Sequence, residues 1–570
     1  MKKTKIICTL GPASRDEKTI EKMLLSGMNV ARINFSHGTH EYHKETIDTF
    51  RKVRDRLNLP AAVMLDTKGP EIRLRDFEGG KVTLKKGEVF TLTTKELMGN
   101  SEIASISYKD LPSQLTKGNK VLIDDGKVSL EVIETNDTDI KCKVLVGGEI
   151  SNHKGINIPN VHLDFDYLSE QDKLDLQFGV KEDVDFVAAS FVRSKDDVVK
   201  LRNYLDYIGG NNIKIISKIE NIEGVDNFDE ILKSSDGIMV ARGDMGVEVA
   251  YEKLPGLQKK FIRKCFQAGK MVITATQMLE SMIHNNTPTR AEITDVANAI
   301  FDGTSGIMLS GETAAGLYPV ESVKTMSLIA ERAEMDIDYI GRFEKACRNE
   351  RPNVTSAISH ATCTTAHDLG ATAIMTVSKS GKTASMISKY RPQCMIVGGT
   401  TSKKVWRQMN ILWGVKPIMV EEKQNTDDLF NHVIEVAERE GLVKNGDIAV
   451  ITAGIPLGIS GTTNMLKVHL VGDILASGTT VVGNGIACGS LCVCNTEDEA
   501  IEKFRDGDIL VLPKTSNRVL PLIKKASGVI TEINGPTSHA AIACLALGKP
   551  VIVGAENATR LLKDGTTVTM

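Results

Sequence analysis

Eight short runs of apolar residues, rich in valine, isoleucine and alanine, recur along the first 340 residues of the chain. Each run is continuous and does not alternate with polar residues, which is typical of parallel strands covered on both faces. The runs are Thr4–Leu10, Asn29–Phe35, Ala61–Asp66, Asp185–Phe191, Ile213–Ile219, Gly237–Arg242, Met271–Thr276 and Gly306–Ser310.

Helical patterns separate most of these runs, for example Asp16–Leu25, Asp196–Tyr207 and Arg290–Phe301. Eight strand–helix units over about 240 residues match the size of a (β/α)8 barrel. A doubly wound open sheet is the alternative, but eight units in succession favour closure. We therefore predict an α/β protein whose (β/α)8 TIM barrel is formed by residues 1–69 and 166–345.

Residues 70–165 interrupt this alternation of strands and helices after the third strand. Strands here alternate between apolar and polar residues, as in Lys81–Leu84 and Leu130–Ile133, and Gly, Asp and Asn mark the turns. The segment predicts a small antiparallel β domain in a loop on the C-terminal face of the barrel. A domain in that position would act as a lid over an active site.

Two further domains are expected towards the C-terminus. Strand and helix patterns alternate again over residues 346–471, which predicts a C-terminal α/β domain. Residues 472–570 are rich in Gly, Thr and Val and predict an extra, β-rich domain.

Composition excludes several classes of function. Seventy basic and seventy-three acidic side chains give a formal net charge of −3, without the basic stripe of a nucleic-acid-binding face. No apolar stretch approaches the roughly 18 residues of a membrane span, and Pro12 ends the short apolar run at the N-terminus. The ten cysteines are scattered along the chain, as expected for free thiols in a reducing compartment. We therefore expect a cytoplasmic protein. From the charge and the apolar stretches we expect no nucleic-acid or membrane partners.

Polar residues follow six of the eight predicted barrel strands, where a barrel enzyme places its active site. A single polar strand end is commonly a helix cap or a structural ion pair, but six together indicate a shared site. The most informative are Arg32, Asn34, Ser36 and His37; Asp66 and Thr67; Lys218 and Glu220; Gly243 and Asp244; Thr276; and Glu312.

The residue types indicate metal-assisted phosphoryl transfer. Glu220 and Asp244, from adjacent strands, are suited to Mg²⁺ with positions left for water and substrate oxygens. Lys218 and Arg32 would neutralise a transferring phosphoryl group, whose transition state is mainly an electrostatic problem. The oxygen-only set Asn34, Ser36, Asp66 and Thr67 carries one formal charge, which suits a monovalent cation, although strand-end capping also explains it.

Several long motifs of the chain resemble motifs of the pyruvate kinase family. They include Ala31–Gly38, Leu65–Arg73, Ser217–Asn221, Val240–Asp244, Ile273–Met282 and Leu309–Gly316, and the match extends from Met1 to about residue 470. The resemblance implies a β-barrel lid, Mg²⁺ (or Mn²⁺) and K⁺ as cofactors, and transfer of the phosphoryl group of phosphoenolpyruvate to ADP, giving ATP and pyruvate.

The resemblance also implies individual roles. Glu220 and Asp244 would bind Mg²⁺, Lys218 would stabilise the transferring phosphoryl group, and Arg32 would contact the phosphate. Gly243, Asp244 and Thr276 would hold the substrate carboxylate, and Thr276 is also tied to protonation of the enolate. The remaining roles are K⁺ binding by Asn34, Ser36, Asp66 and Thr67, K⁺ dependence through Glu71, and nucleotide binding by Arg73, Lys154 and His37.

The loop after the strand Ala373–Val377 is a candidate effector site. Its sequence is similar to a Walker A loop, but Thr376 replaces the first glycine, which argues against an NTPase. In pyruvate kinases the matching loop binds a phosphorylated allosteric effector; an unoccupied helix cap is the alternative. The loop residues are Ser378, Lys379, Ser380, Gly381, Lys382 and Thr383.

The segment Asn534–Ala543 is similar to the phosphohistidine motif of swivelling domains in phosphoenolpyruvate-using enzymes. His539 is the candidate phosphohistidine, although no nucleotide-grasp domain is found in the chain to phosphorylate it. A structural or interaction module is therefore the main expectation. Related modules usually continue a short way past the position of Met570, so a shortened last domain is expected.

Three functional hypotheses follow from the sequence. The first is a K⁺- and Mg²⁺-dependent pyruvate kinase, which the family implies to be a homotetramer. The second is a phosphohistidine relay through His539, and the third is a metabolite-sensing protein that keeps the fold.

Overall fold

The computed structural model describes residues 2–346, 353–423, 425–454, 463–472, 475–481 and 485–570. The strands, numbered in chain order, are β1 Lys5–Thr9, β2 Met28–Asn34, β3 Ala62–Asp66, β4 Ile72–Arg73, β5 Lys81–Leu84, β6 Val89–Thr93, β7 Ile103–Ser105, β8 Lys120–Ile123, β9 Val128–Thr135, β10 Asp139–Val146, β11 Gly148–Ser151, β12 Gly155–Asn157, β13 Phe186–Ala189, β14 Lys214–Ile219, β15 Gly237–Ala241, β16 Met271–Ala275, β17 Gly306–Leu309, β18 Ala373–Val377, β19 Met395–Thr400, β20 Val415–Met419, β21 Ile448–Gly454, β22 Thr463–Leu470, β23 Thr479–Thr480, β24 Cys488–Val493, β25 Ile509–Leu512, β26 Gly528–Thr531, β27 Val551–Val553 and β28 Thr567–Thr569.

The α-helices are α1 Glu17–Leu25, α2 His40–Arg56, α3 Leu111–Gln114, α4 Glu170–Lys181, α5 Lys195–Tyr207, α6 Ile222–Asp226, α7 Phe228–Ser234, α8 Arg242–Glu248, α9 Leu254–Ala268, α10 Arg290–Asp302, α11 Gly311–Ala314, α12 Pro319–Met335, α13 Tyr339–Ala346, α14 Val354–Asp368, α15 Lys382–Lys389, α16 Lys403–Met409, α17 Thr426–Arg439, α18 Glu497–Lys503, α19 Leu520–Lys525, α20 His539–Leu547 and α21 Ala558–Leu561. The chain forms two compact units, Met1–Arg439 with Val450–Lys467 and Glu440–Ala449 with Val468–Met570.

The closed barrel confirms the prediction made from the apolar runs. Within the described residues its strand order is β1-β17-β16-β15-β14-β13-β3-β2, and neighbouring strands pair in parallel. These strands are buried on both faces, against the barrel interior on one side and the surrounding helices on the other. Continuous apolar sequence is what such double burial requires.

Local sequence signals set the ends of the barrel helices. Ser169 and Thr289 form capping boxes at the starts of α4 and α10, satisfying backbone N–H groups that have no helical partner. Gly269 ends α9 in the left-handed conformation, with φ of 65°. These devices fix the starts of α4 and α10 and the end of α9.

The inserted domain lies between β3 and α4, in the third strand–helix connection. Its main sheet has the order β4-β12-β8-β9-β10-β6-β7 in the described chain. A bridge between Leu74 and Ile106 joins the chain beyond β4 to the chain beyond β7, so the two edges of this sheet meet. A separate apolar core fills the domain, as the expected β-barrel lid requires.

The C-terminal α/β domain contains a sheet with the order β20-β19-β18-β21-β22 among its described residues. β18, β19 and β20 are parallel, and α15 and α16 connect them. The predicted alternation of strands and helices in this domain is therefore observed.

The second compact unit contains a sheet with the order β23-β27-β26-β25-β24-β28 in the residues described. Its central strands β24 to β27 are parallel, and α18, α19 and α20 connect them. The extra domain thus has the expected strands and, in addition, a regular α/β alternation. None of the helices in the described residues has both the length and the apolarity to span a bilayer.

Replacing Phe261 by alanine should destabilise the barrel by about 3–5 kcal/mol. Phe261 on α9 is fully buried and stacks on Phe228 of α7, with ring centroids 4.0 Å apart. Urea unfolding followed by circular dichroism measures the change. Tyr207→Ala is the control, because Tyr207 is 84% exposed, and its unfolding midpoint should stay near that of the parent protein.

Candidate active site

The mouth of the barrel gathers polar side chains from neighbouring strands. Strand register places Asn34 of β2 beside Asp66 of β3, and Ala188 of β13 is also paired with Asp66. Lys218 lies on β14, whose pairing with β15 brings the Glu220 and Asp244 segments to the same end of the barrel. The predicted convergence of the strand ends is therefore observed.

Asp66 is the centre of this cluster. Its carboxylate is buried, with Oδ2 2.6 Å from Arg32 Nε and Oδ1 3.1 Å from Lys218 Nζ. Burial alone would raise the pKa of Asp66, but Arg32 and Lys218 hold it below its ordinary value. Asp66 is therefore ionised and orients both cations.

Lys218 is held by three oxygen groups. Besides Asp66, its ammonium lies 2.9 Å from Glu220 Oε1 and 2.8 Å from Ser190 Oγ. Burial would lower the pKa of Lys218, but Asp66 and Glu220 raise it above its ordinary value. The site thus presents a fixed, charged ammonium in a low-dielectric environment, where its electrostatic effect is large.

Glu220 and Asp244 form an acidic pair. Burial raises the pKa of Glu220 to about 7; Lys218 lowers it and the charge of Asp244 raises it. Asp244 lies in the first turn of α8. No group of three or more His, Cys, Asp or Glu side chains arranged for a metal is found in the described part of the chain. The pair offers oxygen ligands and excess negative charge, which suits Mg²⁺ with further positions left for substrate and water.

Thr276 adopts an unusual backbone conformation. Its φ is 69°, which is rare for a β-branched side chain, and Gln277 follows with φ of 54°. The Thr276 hydroxyl donates to Ala275 O at 2.6 Å and accepts from Gly243 N at 2.7 Å. Arg242 Nη2 donates to Thr276 O at 2.6 Å and supports this conformation. The strain fixes the hydroxyl against the start of α8.

The four candidate K⁺ ligands lie at the ends of β2 and β3. Asn34 Oδ1 accepts from Ser36 N at 3.2 Å, and Thr67 Oγ1 accepts from Ser190 N at 3.1 Å. Asp66 is shared with the cluster around Lys218. Their K⁺ role remains a prediction, because strand-end hydrogen bonds explain the same residues.

A cavity of about 440 Å³ lies between the lid and the barrel. Its lining includes Glu71, Asp125 and Asn157 from the lid and Asp244 and Glu248 from the barrel. Asn157 Nδ2 donates to Glu248 Oε1 at 3.3 Å across this cavity.

Of the three candidate nucleotide-binding residues, Arg73 and Lys154 belong to the lid and His37 to the barrel. None of them is among the residues that line this cavity. Arg73 Nε donates to Glu71 Oε2 at 2.7 Å, and Lys154 Nζ donates to Asp124 Oδ1 at 2.8 Å. His37 is exposed just beyond β2. All three carry the charge or donors that phosphate oxygens need.

The candidate effector loop connects β18 to α15. Gly381 is the N-cap of α15, with φ of 75°, and Lys379 Nζ lies 2.6 Å from Glu422 Oε1. Thr383 Oγ1 is 3.0 Å from Thr463 Oγ1. The loop follows a strand and begins a helix, as expected from the sequence.

His539 lies in the second compact unit, as the first residue of α20. Its Nε2 is 3.0 Å from Asn517 Oδ1, which only accepts, so Nε2 carries the proton and donates. Its Nδ1, 3.0 Å from Thr515 Oγ1, then accepts from the hydroxyl. Both ring nitrogens are therefore hydrogen-bonded within the unit.

Family models account for most of the chain. Residues 1–323 match the model of the pyruvate kinase barrel domain, and residues 356–469 match that of the pyruvate kinase alpha/beta domain. The chain belongs to the pyruvate kinase family. Residues 504–570 match the mobile domain of PEP-utilising enzymes.

Curated relatives extend this similarity over the whole chain. Pyruvate kinases of Sporosarcina psychrophila and Geobacillus stearothermophilus are each 46% identical, with 100% of this chain and 97% of the relative covered. The crystal structure of a pyruvate kinase from Cryptosporidium parvum is 41% identical, with a TM-score of 0.78, and covers 83% of this chain and 96% of its own.

Sequence reasoning missed two groups in this pyruvate kinase family site. Ser190 bonds Asp66, Thr67 and Lys218, and Thr9 Oγ1 accepts from Arg32 Nη1 at 2.9 Å. Ser190 follows a barrel strand, and Thr9 ends one. A search of the strand ends for hydroxyl groups as well as charged groups would have identified both residues. Glu312, by contrast, is buried and accepts from Leu279 N and Ser310 N, which indicates a structural role.

Replacing Asp66 by asparagine should destabilise the protein by about 3–5 kcal/mol at pH 7, because Arg32 and Lys218 lose their shared counter-ion. The pKa of Asp66 is lower in the folded state than in the unfolded state. The ionised carboxylate therefore stabilises the fold at pH values above the unfolded-state pKa, and this stabilisation is lost on acidification. The difference in unfolding free energy between the parent protein and Asp66→Asn should therefore shrink below about pH 4. Denaturant unfolding across pH measures it, and the exposed Asp48→Asn control should cost less than about 1 kcal/mol.

Proposed function

We propose that the barrel mouth transfers the phosphoryl group of phosphoenolpyruvate to ADP, giving ATP and enolpyruvate, which becomes pyruvate on protonation. The observation that carries this proposal is the buried ammonium of Lys218, fixed among Asp66, Ser190 and Glu220 beside the acidic partner Asp244. Membership of the pyruvate kinase family supports the choice of substrates.

Lys218 stabilises the charge on the transferring phosphoryl group. The transition state of phosphoryl transfer spreads negative charge over the phosphoryl oxygens, and a preorganised cation lowers its free energy without reorganisation. Arg32 binds the phosphate before transfer. Asp66 and Thr9 accept hydrogen bonds from the Arg32 guanidinium. These two bonds fix the orientation of the guanidinium and therefore the directions of its remaining N–H groups.

Glu220 and Asp244 hold Mg²⁺ or Mn²⁺ in this proposal. When bound, the divalent cation neutralises phosphate charge and orients the substrate oxygens. The raised pKa of Glu220 is consistent with the assignment, since burial and, to a lesser extent, the charge of Asp244 make the carboxylate costly until a cation binds it. Asn34, Ser36, Asp66 and Thr67 hold K⁺ at the neighbouring strand ends.

Gly243, Asp244 and Thr276 position the substrate carboxylate at the start of α8. The Thr276 hydroxyl lies at this point and passes a proton to the enolate carbon through water. The Gly243 N–H is occupied by Thr276 Oγ1 in the structure, so substrate binding exchanges this bond for one to the carboxylate.

Arg73, Lys154 and His37 bind the nucleotide phosphates in this proposal. Arg73 and Lys154 belong to the lid, which therefore brings cations to the site. A phosphorylated effector binds at residues 378–383, and the enzyme works in the cytoplasm as a homotetramer, as the family resemblance implies.

Pyruvate formation from phosphoenolpyruvate with Mg²⁺ and K⁺ should require ADP. Coupled spectrophotometric assay with and without ADP measures this dependence. Pyruvate without ADP would contradict the proposal and favour water or His539 as the acceptor. No pyruvate under either condition would favour the sensing hypothesis.

Lys218→Met should lower kcat by at least about 10²–10³-fold, because a fixed cation that stabilises the transition state is lost. Lys214→Met is the matched control: Lys214 begins the same strand at the opposite end of the barrel. Normal turnover by Lys218→Met would overturn the role of this residue.

The Mg²⁺ concentration for half-maximal activity should rise as the pH falls from 8 to 6. Glu220 has a pKa of about 7 in the free protein, and its protonated form does not bind the cation. The K⁺ requirement is the internal control. It should stay nearly constant over this range, because Asp66 remains ionised.

His539→Ala should leave ADP phosphorylation unchanged, because both ring nitrogens of His539 are hydrogen-bonded to residues of the same compact unit, Thr515 and Asn517. Steady-state kinetics at saturating phosphoenolpyruvate measure this. Loss of all activity would favour a relay through His539.

A further inference from the structure

Glu248, the last residue of α8, occupies an electrostatically unfavourable position. A carboxylate at a helix C-terminus faces the negative end of the helix dipole. Burial raises the pKa of Glu248 above its ordinary value, and the charges of Asp244 and Glu223 add to this effect, while two hydrogen bonds oppose it. A side chain kept in such a place commonly serves a function, and the donors of these two bonds indicate which one.

The first donor links Glu248 to the candidate metal ligands. Glu248 Oε2 accepts from Ile222 N at 3.2 Å. Ile222 is the first residue of α6 and lies two positions after Glu220, whereas Asp244 lies about one helical turn before Glu248 on α8. The bond therefore joins the segments that carry Glu220 and Asp244.

The second donor belongs to the lid. Glu248 Oε1 accepts from Asn157 Nδ2 at 3.3 Å. Asn157 is the last residue of β12, and the first residue of this strand, Gly155, pairs with Arg73 of β4. Lys154 directly precedes β12. The strand that ends in Asn157 therefore adjoins both lid cations assigned to the nucleotide phosphates.

The lid and α8 also approach each other beside this bond. A Cβ at Gly126 would lie 3.9 Å from Val247 Cγ1, so a turn of the lid lies against the residue before Glu248. A further contact, between His162 Nδ1 and Glu223 Oε1 at 2.9 Å, lies where the chain returns from the lid to the barrel. Of the two contacts with α8, the hydrogen bond is the directional one.

We propose that Glu248 is a positioning residue, which latches the lid to α8 through Asn157 and so sets the orientation of the lid over the barrel mouth. Its role is indirect. It acts through Asn157 on the lid strand next to Lys154, and through Ile222 on the segment of Glu220. The choice of ADP as the ligand of the lid rests on the proposed function, whereas the latch itself concerns the geometry of the lid.

Pulsed electron paramagnetic resonance tests the latch without any turnover. Spin labels on genetically encoded keto amino acids replace Lys141 of the lid and Tyr207 of the barrel, which are both exposed, and report the distance between the two domains. In Asn157→Asp, two carboxylates face each other and the bond is lost. The distance distribution should therefore broaden and shift from that of the parent protein. An unchanged distribution would overturn the proposal.

Adding Glu248→Gln to Asn157→Asp should restore the parent distribution. The glutamine oxygen still accepts from Ile222 N, and its amide group donates to the new carboxylate at position 157. Glu248→Gln alone should also keep the parent distribution, because the Asn157 amide can rotate so that its oxygen accepts. Failure of the double variant to recover would overturn the assignment of the bond.

Asp226→Asn, introduced in place of Glu248→Gln, is the matched control for charge. Asp226 lines the same cavity, so its substitution removes the same formal charge without supplying a donor to position 157. The double variant Asn157→Asp/Asp226→Asn should keep the distribution of Asn157→Asp. Recovery in this variant would show that the charge in the cavity, and not the bond, sets the lid orientation.

Steady-state kinetics connect the latch to nucleotide binding. Asn157→Asp should raise the KM for ADP by about fivefold or more, with a smaller change in kcat at saturating ADP, and adding Glu248→Gln should restore the KM. The Kd of phosphoenolpyruvate without nucleotide, measured by isothermal titration calorimetry, should not change, because barrel residues hold this substrate. A parental KM for ADP in Asn157→Asp would overturn the positioning role. Lack of ADP-dependent turnover in the parent would instead contradict the proposed function, and the resonance measurement would still decide the latch.

Discussion

The carboxylate of Asp66 is the group on which the barrel mouth depends. It is buried beside two cations, and each of its oxygens is bonded, so the positions of Arg32 and Lys218 follow from its own. With Glu220 and Asp244, the described cluster has three carboxyl groups and two cations, which leaves one net negative charge when Glu220 is ionised. A divalent cation is attracted by this excess, and the substrate phosphate is attracted by the cations.

Burial sets the electrostatic character of the barrel mouth. At the mouth, carboxylates outnumber cations, and burial raises the pKa of Glu220. The imbalance is sustained because the surrounding fold buries the groups, and its physical consequence is affinity for a small cation.

Much of the fold was predictable because barrel strands carry a strong local signal. The predicted runs overlap all eight strands of the described barrel, and the lid strand Lys81–Leu84 has the predicted bounds. The meeting of the lid edges at Leu74 and Ile106 was not predictable, because a single bridge between distant residues has no sequence periodicity. The helices α18 and α19 of the last domain were missed because its composition, rich in Gly, Thr and Val, indicated a β-rich domain.

The sequence by itself determined the barrel elements and the polar residues at their ends, because burial on two faces and the strand-to-loop transition both leave local patterns. Its motifs also determined the family. Only the tertiary structure decided which of these residues meet: Lys218 reaches Asp66 across 152 positions, and Ser190 completes the contact. It likewise decided the raised pKa of Glu220 and the lowered pKa of Asp66, since burial and neighbouring charge arise from contacts between distant segments.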